Sequence, residues 1–124
     1  MYHLQRAYDF DAESGKHAVL LDRLWPRGLR KQRLEGVIWE KDATPSNELR
    51  GWFHEDPQER FDSFGTRFTQ ELADSDAAQE ALKRIRALHR KFGSLTLLTA
   101  ARDPDHSHLS VLAKVLKQRG KAAS

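Results

Sequence analysis

Leu95-Thr96-Leu97-Leu98-Thr99-Ala100-Ala101 is an uncharged stretch in a chain of 124 residues of which 31% are charged, and it runs straight into Arg102-Asp103. An apolar run of this length between polar segments predicts a strand covered on both faces, as in parallel sheets. A second run, His17 to Leu21, ends in Asp22-Arg23. As neighbouring buried strands, the two would bring four charges to one sheet edge, where open α/β sheets hold ligands. That edge is the candidate site.

The remaining elements follow from spacing and punctuation. Residues 2 to 8 form a predicted first strand, and Asp9 to Gly15 a loop. Pro26 and Gly28 break regular structure ahead of the basic loop Arg27 to Arg33, and Val37-Ile38-Trp39 is a short third strand. Pro45-Ser46 opens a short helix through Leu49, Trp52 and Phe53, with Ser46 as its N-cap. Asp56-Pro57-Gln58-Glu59 begins the clearest helix, since it places an acid at the cap, proline at the first position and glutamate at the third. Phe61, Phe64, Phe68 and Leu72 recur there at helical spacing and face the core. Asp74-Ser75-Asp76 starts the next helix, whose buried stripe is Ala81, Leu82, Ile85, Leu88 and Phe92, with Gly93 as its stop. Asp103-Pro104 repeats the acid–proline start for a final helix through Leu109, Leu112, Val115 and Leu116, closed by Gly120. Strands interleaved with helices predict an α/β fold. It is a single small domain over residues 1–119, a short, mainly parallel sheet flanked by helices, followed by a basic disordered tail at 120–124.

Composition narrows the chemistry. No cysteine occurs, which excludes disulfides, thiol catalysis and cysteine-based zinc sites and suits a reducing cytoplasm. No apolar stretch reaches the roughly 18 residues of a membrane span, so a cytoplasmic protein without a membrane partner is expected. A net charge of +3 permits phosphate-bearing partners, but 18 acids interspersed among 21 bases are not a nucleic-acid-binding composition. His106 and His108 lie two apart, about 200° around a regular helix, so they cannot share one metal from it and no metal site is expected. Patterns for serine hydrolases, phosphate-binding loops and dinucleotide folds are absent.

Candidate residues fall into two roles. Arg23, Arg27, Arg50 and Arg102 would grip an anion, because the planar guanidinium suits phosphate or carboxylate, and Trp25 and Trp52 would wall the pocket. Asp22, Asp103, His108 and His54 are the candidates for proton transfer, although Asp103 also suits a helix cap and Asp22 a structural ion pair. Lys83, Arg84, Arg86, Arg90 and Lys91 make a basic helix face.

Val19-Leu20-Leu21-Asp22-Arg23-Leu24-Trp25-Pro26-Arg27-Gly28-Leu29 forms a long and unusual string. With it come Ala43-Thr44-Pro45-Ser46, Glu48-Leu49-Arg50, Trp52-Phe53, and Thr96-Leu97-Leu98 with Ala100-Ala101-Arg102-Asp103 and His108. In this order, over residues 4 to 117, the chain resembles the domain-of-unknown-function 488 family, the YeaO-like proteins. The resemblance implies a small cytoplasmic α/β protein of bacteria or archaea, in a family without an established reaction. Thr44, Glu55 and Ser107 stand where the family favours alanine, histidine and asparagine.

Three functions are expected to compete. The first is binding of a small anionic ligand, phosphorylated or nucleotide-like, at the carboxyl edge of the sheet, with or without turnover. The second is a nucleic-acid-binding module using the basic loop 27–33, the basic helix face 83–91 and the cations Lys114, Lys117, Arg119 and Lys121. The third is a protein-interaction module anchored by exposed Trp25 and Trp52. The residues specify no cofactor and no oligomeric state.

Overall fold

The computed structural model describes the backbone of residues 1–122 and the side chains of residues 1–118. Its central strand is the charge-free run: β4, Leu95–Thr99, with all five residues buried. On one side lies β1 (Tyr2–Arg6), in register from Tyr2 opposite Leu95 to Arg6 opposite Thr99. On the other lies β2 (Ala18–Leu20), followed outward by the two-residue β3 (Ile38–Trp39). Every pairing is parallel, in the order β1-β4-β2-β3. The expected α/β class and parallel sheet therefore hold.

Side-chain alternation along the strands divides the core in two. Val19, Leu21, Leu95 and Leu97 face a helical layer made of α1 (Asn47–Glu55), α2 (Pro57–Asp74), α3 (Asp76–Phe92) and α4 (His108–Ala122). There they meet Leu49 and Phe53 of α1, Phe64, Phe68 and Leu72 of α2, Ile85 of α3, and Leu109 and Leu112 of α4. Ala18, Leu20 and Leu98 face the other way, onto Ala7, Phe10, Leu29 and Leu34 with Trp25 and Trp39 at the margin. Helices thus cover one face, and loops with 3₁₀ turns at Ala7–Asp9 and Lys31–Leu34 cover the other. Only the passage from β3 to β4 runs through helices, three in succession. The passages from β1 to β2 and from β2 to β3 use those turns instead.

Capping follows the expected chemistry at three helices. The hydroxyls of Ser46 and Ser75 accept from the N–H groups of Leu49 and Ala78 at 3.1 Å each, and the Asp56 carboxylate accepts from Glu59 N–H at 3.4 Å. Gly93 ends α3 at φ 81°, the left-handed region where a side chain is strained.

Several boundaries differ from those read in the sequence. β1 stops at Arg6 because Ala7–Asp9 turns. β4 stops at Thr99, short of Ala101, because the Ala100 N–H leaves the ladder for the Asp22 carboxylate. Asp103 caps the 3₁₀ turn Pro104–His106, accepting from Asp105 N–H at 3.2 Å, and α4 begins only at His108. Gly120 does not close α4, which continues to Ala122 through the start of the expected disordered tail. Residues 123–124 and the side chains of Arg119 and Lys121 lie outside the described residues. No described helix is long and apolar enough to cross a membrane.

Candidate functional site

At the carboxyl edge of the sheet, Asp22 bridges the ends of β2 and β4. Its carboxylate accepts from Thr99 Oγ1 at 2.7 Å and from Ala100 N–H at 2.6 Å. Its backbone carbonyl accepts from the Trp39 indole at 2.6 Å. His108, the first residue of α4, reaches the same place and bonds through Nε2 to the Leu21 carbonyl. A carbonyl can only accept, so Nε2 carries the proton and, in the neutral ring, Nδ1 presents a lone pair. Burial pushes the His108 pKa down from its usual value, while the Asp22 carboxylate, 3.6 Å from Nε2, and the Leu21 bond oppose the shift. Charges on Arg50 and His54 add to the depression.

This pair forms the floor of a cleft of about 650 Å³. One wall is α1, where Leu49 and Phe53 take the core side and Arg50 and His54, four apart, share the flank that faces the cleft. The second wall is the loop after β2. Trp25 donates its indole N–H to the Leu29 carbonyl at 2.6 Å and meets Trp39 edge-on at 5.4 Å, while the Tyr8 hydroxyl donates to the Arg27 carbonyl at 2.8 Å. Arg23 ties this loop to the start of α1, donating from Nε and Nη2 to the Pro45 carbonyl at 3.3 and 3.2 Å. The loop after β4 closes the third side with Arg102, Asp103 and His106. Asp103 is held at 3.0 Å by His106 Nδ1 and does not reach toward Asp22 in any bond among the described residues.

Asp22, Arg23, Trp25, Arg27, Arg50, His54, Arg102, Asp103 and His108 accordingly line one cleft. Trp52 does not. It sits on the flank of α1 that faces α2, with the guanidiniums of Arg60 and Arg67 at 4.7 and 4.1 Å from its ring centre. Glu55 pairs with Arg60 at 2.8 Å, on that same flank. Two contributors escaped the sequence reading. Thr99 is a polar residue closing a buried strand, and a hydroxyl in that position is a signal for a bond to a neighbouring element. Glu71 gives none: from the last turn of α2 it accepts the Ser46 N–H and hydroxyl at 2.9 and 2.6 Å.

The acids of the cleft are thus engaged in holding its frame, whereas the guanidiniums of Arg27, Arg50 and Arg102 have no carboxylate partner among the described residues. The cleft is a basin of positive charge over a floor of acceptors.

Comparison with known proteins agrees with the resemblance read from the strings around Asp22 and Arg102. The chain matches the family described as "Inactive DUF488-N3 subclade" over residues 1–124. It is 44% identical over 111 residues to the uncharacterized protein Rv3073c of Mycobacterium tuberculosis, covering 90% of this chain and 88% of that one. Against the uncharacterized protein YeaO of Escherichia coli the identity is 38% over 113 residues, 91% of this chain and 94% of the other. No solved structure matches.

Proposed function

The chain belongs to the inactive DUF488-N3 subclade, a YeaO-like family, and from that premise we propose that it binds a small anionic ligand in the cleft at the carboxyl edge of its sheet without turning it over. The observation that carries this reading is the set of unneutralised guanidiniums, Arg27, Arg50 and Arg102, around one concave site whose carboxylates are already engaged. A planar guanidinium without a protein acid is the group that meets phosphate or carboxylate in two parallel hydrogen bonds. In this reading Arg23 is a partial contributor, since two of its nitrogens hold Pro45. Asp22 and Asp103 keep the frame, His54 adds donor capacity at the rim, and Trp25 supplies an apolar wall. A description as inactive is the family's; for this chain it fits the engagement of both acids that a proton-transfer mechanism would need free. A cytoplasmic location belongs to the same proposal, on the absence of cysteine.

The nucleic-acid reading has less to stand on. On the basic helix face, Arg84 holds the buried Glu40 at 2.6 and 2.9 Å, Arg86 donates to the Val115 and Leu116 carbonyls, and Lys83 pairs with Glu80. In the basic loop, Arg33 donates to the Tyr8 carbonyl at 3.0 Å. The tryptophans offered as protein-binding anchors are both half-buried.

A thermal-shift screen against sugar phosphates, nucleoside monophosphates and inorganic phosphate, run at two salt concentrations, tests the proposal. Ligand at a hundred times its Kd adds about 2.7 kcal/mol, a rise in Tm on the order of 10 °C for a chain of this size. The rise should persist at the higher salt and vanish in the Arg50→Ala/Arg102→Ala double variant. No shift with any small anion refutes the reading, and a shift with oligonucleotides alone that salt abolishes transfers the function to nucleic-acid binding.

A further inference from the structure

The cleft has two chemically different ends, and the geometry points to a hydroxyl-bearing phosphate ester, of the sugar-phosphate type, whose hydroxyl donates to Nδ1 of His108 while its phosphate faces Arg50 and Arg102. This inference rests on the anion-binding reading above and names the ligand class for the same cleft.

The floor is made of acceptors. With Nε2 donated to the Leu21 carbonyl, Nδ1 of His108 has a lone pair and no partner among the described residues. It is also open to the cleft. Among the described residues the one buried side-chain polar atom left without a partner is Nε of Arg6, so Nδ1 is not sealed in. On the Nε2 side of the ring, at 3.6 Å, lies the Asp22 carboxylate, whose oxygens accept from Thr99 and Ala100 and offer only further lone pairs. A phosphate oxygen placed here would face acceptors and a negative charge, so the anionic end of a ligand is turned away from the floor. The rim holds guanidiniums, which only donate. A bare anion therefore satisfies the rim and leaves the floor unmatched, whereas a ligand with a donor at the far end satisfies both.

That donor is uncharged. Burial is the largest influence keeping His108 uncharged, and Arg50 and His54 add to it against an opposing Asp22, so the same surroundings disfavour an ammonium buried beside the ring. A hydroxyl donates without bringing charge, and the half-buried Trp25 in the cleft wall suits the carbon face of a sugar.

Isothermal titration of the full chain with ribose 5-phosphate, inorganic phosphate and O-phosphoethanolamine tests this. The expected result is at least tenfold tighter binding of ribose 5-phosphate than of the other two. His108→Gln keeps a side-chain N–H for the Leu21 carbonyl and loses the lone pair at the Nδ1 position, so ribose 5-phosphate should bind this variant no tighter than inorganic phosphate binds the same variant. A second readout needs no variant: the ¹⁵N resonance of His108 Nδ1 in the wild-type chain should shift on adding ribose 5-phosphate and stay put with inorganic phosphate. Equal binding of all three probes, with Arg102 still required, overturns the hydroxyl contact and leaves the anion site standing. Tighter binding of O-phosphoethanolamine, or a ribose 5-phosphate preference that survives in His108→Gln, also overturns it. Binding of none of the three overturns both readings.

Discussion

Thr99 donates its hydroxyl to the Asp22 carboxylate at 2.7 Å, and through that bond the carboxyl ends of β2 and β4 are fastened at the point where the cleft opens. The other carboxylate oxygen takes the Ala100 N–H, which ends the β4 ladder. Asp22→Ala leaves that N–H and the hydroxyl without partners, at a cost of about 2–4 kcal/mol. Asp22→Asn is predicted to be far milder, within about 1 kcal/mol, because its oxygen can serve Ala100 while its amide donates to a hydroxyl that turns to accept. Urea midpoints of the two variants check the ordering; equal losses would mean that Asp22 acts through its charge and not through these bonds.

Ser46 faces two ways. Its hydroxyl accepts from Leu49 N–H as the cap of α1 and donates to Glu71 of α2, so the cleft wall carrying Arg50 and His54 is fixed to the helical layer at its first turn. Ser46→Ala should cost about 1–2 kcal/mol, the upper range for a cap, since both bonds go. Glu71→Ala, which spares the cap, should cost less by chemical denaturation while weakening phosphate binding, because α1 loses its tether and the Arg50 guanidinium its fixed position.

Trp52 and Trp25 give a direct optical distinction between wall and exterior. Trp25 lines the cleft, and Trp52 is packed under Arg60 and Arg67 on the far side of α1. A bound phosphate ester should change the tryptophan emission of the wild-type chain and of Trp52→Phe alike, and the change should be lost in Trp25→Phe. The reverse result would move the ligand out of the cleft and onto the flank of α1 that faces α2.

The sequence made the buried strand and the long helices legible because each is specified locally. β4 needs only a run of apolar residues, and α2 and α3 carry both their caps and their stripes within their own residues. What covers the second face of the sheet was not legible, since Leu29 and Leu34 come from loops without periodicity and become core only when β2 and β3 hold them against Leu20 and Leu98. The cleft was legible through the two charged strand ends. Trp52 was misplaced because it was grouped by nearness in sequence: with Leu49 and Phe53 toward the core, Arg50 and His54 take one flank of α1 and Trp52 the other. Glu71 could not be found from sequence, because its partner lies on a different helix, a relation that only the packing of α1 on α2 creates.

Acid should weaken this fold from the His108 side. The folded chain holds His108 below the usual imidazole value near 6.5, with burial the main cause, and Asp22, Arg50 and His54 are the charged groups around it. As pH falls through about 6.5 the unfolded chain takes up this proton while the folded chain does not, so the unfolded state binds more protons and stability declines. The decline continues until the folded ring itself protonates, and above about pH 7.5 the residue contributes no slope. His89, lowered by burial and by the neighbouring Met1 ammonium, acts in the same direction. Urea midpoints measured from pH 7.5 to 5.5 should therefore fall, less steeply in His108→Gln, and less steeply again when His89→Gln is added. A stability that rises over that range would mean that the folded chain holds His108 protonated, in which case Nδ1 donates and the floor of the cleft prefers an acceptor over a hydroxyl donor.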